Sequence, residues 1–507
     1  MSTRQKMSAK QKASFANSLA MALLVVCLGL VQATPVAAGV WSIDSADDWK
    51  QNTAETTAIV LDDGRVTPTA DQATFKSKIK QLGQKRSLRS ITFEQVPDWQ
   101  NWSPIDNIGP RVLGDAPVFL SLGPDNYWLF GRYGGKGRKG KPGDETVRLD
   151  GFDMELKPTA EPNVFTAPGG EERNLGGYHA WQSRDMVNWV HHGNVTEKFS
   201  CWVTTAEHVD GKFYIYYDYP NDQDPHLYID EDLTDGKPGK NMGMAFADPT
   251  HGSDCAVIRD RDGRFHLIVE DWTPINARRH SWDSPLAVHA VSKDGIRDFK
   301  ILDPPVDERT EPTGETAEYR HPHWARHPDW DSNIGEYEVH EPEQNAFGDW
   351  SAICVGGQYY LFCDFDPAEG HMGVGWFTSE SLEKQFRLCG KVGRGHPDPD
   401  IGFAEGRFYL ITQMKQDFVS PGPWVEKVEA RVGVDSTGDG KIDTWTDWTE
   451  VKETYDYVEG FAKQVAKTPA AIDLSSLPEA HAVQFEFKTT KTTDNGVLPV
   501  MERVTIE

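Results

Sequence analysis

A pair of strands joined by a glycine-containing turn recurs five times along this chain, and that recurrence narrows the available folds more than any other feature. The five segments begin at Asp115 (DAPVFLSLGPDNYWLFGRY), Cys201 (CWVTTAEHVDGKFYIYYDY), Ser253 (SDCAVIRDRDGRFHLIVEDW), Asp349 (DWSAICVGGQYYLFCDF) and His396 (HPDPDIGFAEGRFYLITQ). Four of the turns carry Asp210-Gly211, Asp262-Gly263, Gly356-Gly357 and Glu405-Gly406, the kind of residue pair that tight hairpins need. Each second strand bears an aromatic marker: Tyr127, Phe213, Phe265, Tyr359 and Phe408, spaced 86, 52, 94 and 49 residues apart. Long insertions account for the uneven spacing. Further elements follow several hairpins, around Ser183, Ser292 and Ser379. Five units of three or four strands predict an all-β chain built as a five-bladed β-propeller with loop insertions. A β-sandwich is the alternative, but it would not repeat one hairpin five times.

The ends of the chain read differently. Arg4, Lys6, Lys10 and Lys12 precede a short apolar run from Ala20 to Ala33, and Val36-Ala37-Ala38 suits cleavage after Ala38. The run is short for a membrane span, and no later stretch reaches about 18 apolar residues. Residues 1–38 are therefore expected to be a signal peptide, and the mature chain to be exported to periplasm or medium without a membrane anchor. Removing the four signal cations takes the formal net charge from −26 to about −30. Such a charge repels phosphates and disfavours nucleic acid as a partner, while it favours bound cations. The five mature cysteines (Cys201, Cys255, Cys354, Cys363 and Cys389) match no metal-binding spacing and read as buried thiols with room for one disulfide. Residues 39–110 form an N-terminal extension with a helical stretch expected around Gln72–Gln84. Residues 111–424 hold the propeller. Residues 425–507 change to longer alternating strands and predict a small β-sandwich-like C-terminal accessory region.

A propeller gathers the starts of its innermost strands around one mouth. Asp115 lies 12 residues before its aromatic marker, Asp254 lies 11 before, and Asp349 and Asp398 each lie 10 before. Aspartate also caps strand starts, but four in register favour a shared acidic mouth. Such a mouth supplies what glycosidic bond cleavage requires: one carboxylic acid to protonate the departing oxygen and one carboxylate to activate water or attack carbon. Crowded like charges raise one pKa and keep that acid protonated. The same cluster also suits a metal ion.

The hairpins resemble those of the five-bladed propeller glycosidases, the arabinofuranosidase and xylosidase family 43 and relatives such as the neoagarooligosaccharide hydrolases of family 117. The resemblance spans residues 110 to 420. It implies a general base at Asp115, where Asp115-Ala116-Pro117 is similar to the family's Asp-Pro with one residue inserted. It implies a pKa-tuning role for Asp254, ahead of Arg259-DRDGRFHL. The general acid, normally a Glu opening the next blade, falls on Asp349 ahead of Tyr359-Tyr360-Leu361, a departure that shortens the arm. Glu343 and His340, in His340-Glu341-Pro342-Glu343, are rival candidates, and Glu207 is a further one.

Substrate contacts are expected at Trp202, Trp272 and Trp350, which sit beside mouth positions and can stack on sugar rings, and at His396 and Asp398 in the stiff string His396-Pro397-Asp398-Pro399-Asp400. Each tryptophan can equally fill a β-core. Arg132 opens a loop with five basic residues in ten positions, which suits an anionic glycan or is simply solvated. Asp435, Asp439 and Asp443 resemble the spacing of a calcium loop, although Thr446 stands where a Glu is usual. The expected function is an exported glycoside hydrolase acting on a plant or algal carbohydrate, neutral or anionic. It is expected to be inverting, with no cofactor in the chemistry and structural Ca²⁺ as an accessory. A non-catalytic, calcium-assisted glycan-binding propeller is the alternative, and a lyase a third reading. The sequence leaves oligomeric state open.

Overall fold

The second strand of each repeat is apolar or aromatic at nearly every position. Tyr127–Tyr133, Lys212–Asp218, Phe265–Glu270, Gln358–Asp366 and Arg407–Ile411 all bury most of their length. A strand so composed must be covered on both faces. The computed structural model describes residues 41–507 apart from 63, 97–98, 100–101, 103–109, 111–112, 134–144, 169–175, 199–201, 220–223, 249–251, 253, 272–285, 307–344, 396, 414–418, 422–426 and 491–499. Of Asp115 the backbone alone is described.

Each buried second strand pairs antiparallel with the first strand of its repeat. These first strands are β1 (Leu113–Ser121), β2 (Val203–Val209), β3 (Cys255–Arg259), β4 (Ala346–Val355) and β5 (Asp400–Ala404). Third strands continue the five sheets outward. β1 packs on β2, β2 on β3, β3 on β4, β4 on β5, and β5 on β1. The spaces between successive sheets are filled by large side chains. Trp128 and Phe130 meet Phe213 and Ile215, Tyr214 and Tyr216 meet Phe265 and Leu267, and Ile258 and Ile268 meet Trp350 and Leu361. Phe362 and Trp376 meet Phe403 and Phe408, and Phe119 and Trp181 meet Tyr409.

The N-terminal and C-terminal segments, expected as separate regions, are woven together. Ser90–Val96 pairs with both Ala470–Asp473 and Val500–Ile506, and Gln72–Ser77 pairs with Ala480–Thr490, which also pairs with Lys427–Asp435. The core between these two sheets holds Trp49, Phe75, Phe93, Phe485 and Phe487, with Phe75 stacked on Phe487 at 5.0 Å. The expected helix around Gln72–Gln84 is instead two strands, Gln72–Ser77 and Lys80–Arg86. Ala73, Phe75 and Ser77 turn inward at a period of two, and pairing with Ala480–Thr490 outweighs local helical preference. A helix does form at Ala46–Asn52, where the Ser45 hydroxyl accepts the Asp48 N–H at 3.2 Å and caps the first turn.

The C-terminal segment also sends one strand, β6 (Phe461–Thr468), back among the five sheets. It pairs parallel with β4, Cys354 facing Gln464 and Val355 facing Val465, and also touches β1, β2, β3 and β5. Cys255, Cys354, Cys363 and Cys389 are free thiols, so the disulfide for which the sequence left room is not made among them.

The contact between β5 and β1 leaves no room at Gly402, where an added Cβ would lie 1.9 Å from Phe119 Cδ1. Replacing Gly402 by Ala is expected to lower unfolding free energy by about 1–3 kcal/mol through overpacking, measured as a lower denaturation midpoint at unchanged slope.

Candidate active site

Two of the expected acids sit on irregular backbone. In β4 the register shifts between Gly348 and Ser351, and Asp349 has φ of 51°. In β1 the register shifts between Gly114 and Val118, spanning Asp115. Bulges of this kind interrupt pairing and re-aim a side chain out of the alternating pattern. Asp398, two residues before β5 begins, also has positive φ, at 41°. Non-glycine residues in this region carry strain that surrounding structure must hold in place.

Carboxylates supply that hold. Glu270 Oε1 accepts the Asp349 N–H at 3.0 Å, linking the third sheet to the fourth. Asp364 Oδ1 accepts the Asp398 N–H at 2.9 Å, linking the fourth to the fifth. Asp398 Oδ2 accepts the Ala116 N–H at 3.3 Å, linking the fifth back to the first. Asp400 Oδ2 accepts the Phe119 N–H at 2.6 Å, and its other oxygen takes the Ser351 hydroxyl. Bonds from main-chain N–H groups to carboxylates are charge-assisted and stronger than neutral ones.

Those bonds bring the acids together. One oxygen each from Asp254, Glu270 and Asp349 lie within 4.8 Å of one another, and so do oxygens from Asp349, Asp364 and Asp398. Asp349 belongs to both groups. Burial raises its carboxyl well above the ordinary range, and the charges of Asp398, Asp254, Asp364 and Glu270 raise it further. The arrangement therefore favours the protonated form of Asp349 among other carboxyl oxygens. That all-oxygen set is equally the donor type a hard cation takes.

The structure places the other expected residues variously. Trp202 precedes β2, and the Arg132 guanidinium lies 3.9 Å above its ring, so the pair joins the first and second sheets. Trp350, expected as a sugar platform, is instead buried between Phe347 and Phe377 and belongs to the core. Glu207, expected near substrate, is 1% exposed within β2, where burial raises its pKa and Lys463 opposes the rise. Both corrections follow from pleating: residues inside the bulged strands point between sheets. Asp435, Asp439 and Asp443 lie on the two-sheet unit with oxygens within 4.8 Å. Asp435 accepts the N–H groups of Thr437, Gly438 and Gly440, and Asp443 those of Ser436 and Thr437. Trp272, His340, Glu343 and His396 lie outside the described residues, as does the side chain of Asp115.

Glu270 and Asp364 were missed by reasoning from the first strands alone. Both stand five residues after their aromatic markers, Phe265 and Tyr359. Arg132, Asp218 and Gln413 hold the same place in the other repeats, so a polar residue stands at or near the end of every second strand. Antiparallel pairing puts that residue opposite the start of the first strand: the Glu270 N–H reaches the Asp254 carbonyl, Asp218 that of Trp202, and Gln413 that of Pro397.

No family profile matches this chain, and no characterised relative matches by sequence. Solved structures do resemble it. An α-L-arabinanase of Cellvibrio cellulosa complexed with arabinohexaose is 12% identical with a TM-score of 0.37, over 66% of this chain and 96% of that one. An exo-β-1,3-galactanase of Phanerochaete chrysosporium with β-1,3-galactotriose is 7% identical with a TM-score of 0.36, over 83% and 100%. An exo-1,5-α-L-arabinanase from a bovine ruminal metagenomic library is 13% identical with a TM-score of 0.33, over 63% and 94%. Likeness at this level does not extend to activity.

The proton on Asp349 has a thermodynamic signature. Its folded pKa is raised, so the folded state binds the proton more tightly, and stability falls as pH rises above the unfolded carboxylate value. Asp349→Asn removes that dependence. The variant is expected to match the parent near pH ~4 and to exceed it in stability at neutral pH. Urea denaturation at both pH values checks this, and a neutral-pH loss would contradict the raised pKa.

Proposed function

We propose that this chain is an exported glycoside hydrolase on a closed five-bladed propeller, cleaving a plant or algal poly- or oligosaccharide with inversion. The observation that carries the reading is Asp349. It is a carboxyl whose pKa is raised by burial and by neighbouring charges where acids from three sheets converge. A protonated acid beside ionised ones is the division of labour that glycosidic cleavage requires.

Asp349 acts as the general acid and gives its proton to the departing glycosidic oxygen. The backbone bulge at Asp349 re-aims the aspartate and so offsets its shorter arm relative to Glu. Asp254, whose charge helps to raise the Asp349 pKa, tunes that acid. Asp115 is the general base that activates water. Its neighbour Ala116 donates its N–H to Asp398, which supports a place for Asp115 beside the cluster. Trp202 and Arg132 flank the sugar. The N-terminal run of cations and apolar residues supports export. None of these steps draws on the Asp435–Asp443 loop, which a structural calcium ion would suit. The convergent oxygens favour a second reading, a glycan-binding propeller that holds a cation and performs no chemistry.

A panel of plant and sulfated algal oligosaccharides, followed by reducing-end release and by NMR of the first-formed anomer, separates the two readings. Asp115→Ala and Asp254→Ala are each expected to lower kcat by about 10²–10⁴-fold with the fold intact. Near-parental turnover in either variant sinks the mechanism, and binding without turnover in the parent chain favours the second reading.

A further inference from the structure

A cavity of about 310 Å³ opens at the seam between the third and fourth sheets. Three connections wall it. Residues 260–264 join β3 to Phe265–Glu270, Gly356-Gly357 joins β4 to Gln358–Asp366, and residues 380–383 follow the third strand of the fourth sheet, Gly373–Ser379. Asp254 and Asp349 stand near the starts of β3 and β4, and Glu270 and Asp364 near the ends of the second strands. Antiparallel pairing therefore puts the cavity at the opposite end of the strands from the mouth acids.

Two arginines cross this seam and are used differently. Arg264 donates from Nε to Asp260 at 2.6 Å and from Nη2 to Glu383 of the fourth sheet at 2.9 Å. Asp260 also accepts the N–H groups of Asp262 and Arg264, at 3.0 and 2.8 Å. Its Oδ2 lies 3.2 Å from Nε2 of the buried His266, whose Nδ1 lies 2.8 Å from His289 Nε2. That wall is fixed by its own bonds. Arg261 is exposed, and its guanidinium reaches over the Gly357 turn, where an added Cβ would lie 2.4 Å from Nη2. Gly357 also has φ of 90°, so glycine is required there on both counts. Among the described residues, no carboxylate pairs with Arg261. The Tyr359 hydroxyl, on the residue two beyond Gly357, likewise makes no hydrogen bond among them.

The lining selects the kind of molecule that fits. Four carboxylates (Asp260, Asp262, Glu380 and Glu383) stand against the two guanidiniums, so an anion meets net repulsion. A cation meets the Arg261 charge and finds Asp260 and Glu383 paired with Arg264, and Glu380 with Lys384. An apolar molecule strips water from polar groups and returns no hydrogen bonds. An uncharged polyol matches both kinds of group: the guanidinium and the phenol donate to its oxygens, and carboxylate oxygens accept its hydroxyl protons. The volume falls at the lower end of the range of small-molecule sites, about 300–1,000 Å³.

We propose that this cavity is a second saccharide site, which takes an uncharged sugar unit through Arg261 and Tyr359 and lies apart from the acids of the mouth. The inference rests on the carbohydrate ligand class of the proposed function and needs no catalysis.

Isothermal titration of the full chain carrying Asp349→Asn, a change that suppresses turnover during the measurement, tests the site. The probes are cellobiose, xylobiose and galactobiose, with digalacturonate as the anionic counterpart. Adding Arg261→Ala is expected to weaken one binding component for a neutral disaccharide about tenfold or more, and adding Tyr359→Phe about threefold or more. Arg261 is exposed and unpaired among the described residues, so Arg261→Ala is expected to leave the denaturation midpoint unchanged. Neutral binding that survives both changes belongs elsewhere and overturns the site, as does a chain that binds none of the disaccharides. Digalacturonate bound more tightly than the neutral probes, and lost with Arg261→Ala, overturns the uncharged class. Turnover is read separately on the parent chain. Its absence sinks the hydrolase reading, while Arg261-dependent binding still decides this one.

Discussion

Carboxylates that accept main-chain N–H groups from the next sheet hold this molecule's candidate site together. Glu270 holds Asp349, Asp364 holds Asp398, Asp398 holds Ala116, and Asp400 holds Phe119. The sheets themselves join through aromatic and aliphatic packing, which is strong but not directional. Hydrogen bonds to charged acceptors add direction. They fix where one sheet stands against its neighbour at the end where strands begin, and the positive φ of Asp349 and Asp398 persists because of them.

The same bonds create an electrostatic problem. Five acids from three sheets lie close together, and Glu270, Asp364 and Asp398 among them are buried away from the water that would screen their charge. The cost is met in two ways. The pKa of Asp349 is raised, which turns repulsion into a chemical property. Farther along the strands, Lys463 opposes the rise that burial imposes on the pKa of Asp400 and of Glu207. The acids at the mouth and the buried cation behind them therefore belong to one charge arrangement.

The C-terminal segment has a larger part in this than its place in the sequence suggests. It completes the two-sheet unit with residues from the N-terminal extension, and then contributes β6 to the five sheets. Folding of the repeats and folding of the ends are consequently coupled through Lys463, Gln464 and the β4–β6 pairing.

Much of the architecture was legible because hairpin chemistry is local. The Asp-Gly and Gly-Gly turns, the aromatic markers and the alternation of His481–Lys488 each declare a strand without reference to distant residues. Asp254, Asp349 and Asp398 could be picked out because their offsets from those markers are nearly constant. The register of Glu270 and Asp364, five residues past the markers, was present in the sequence but has meaning only once antiparallel pairing sets strand ends opposite strand starts. What tertiary structure alone decided is how long-range partners use each side chain. Trp350 became core, Glu207 a buried carboxyl, Gln72–Gln84 two strands, and Lys463 a buried cation bonded to Thr205. Periodicity and turn residues report the chain's own backbone preferences. Burial, charge pairing and strand partnership depend on residues hundreds of positions away, which no local pattern encodes.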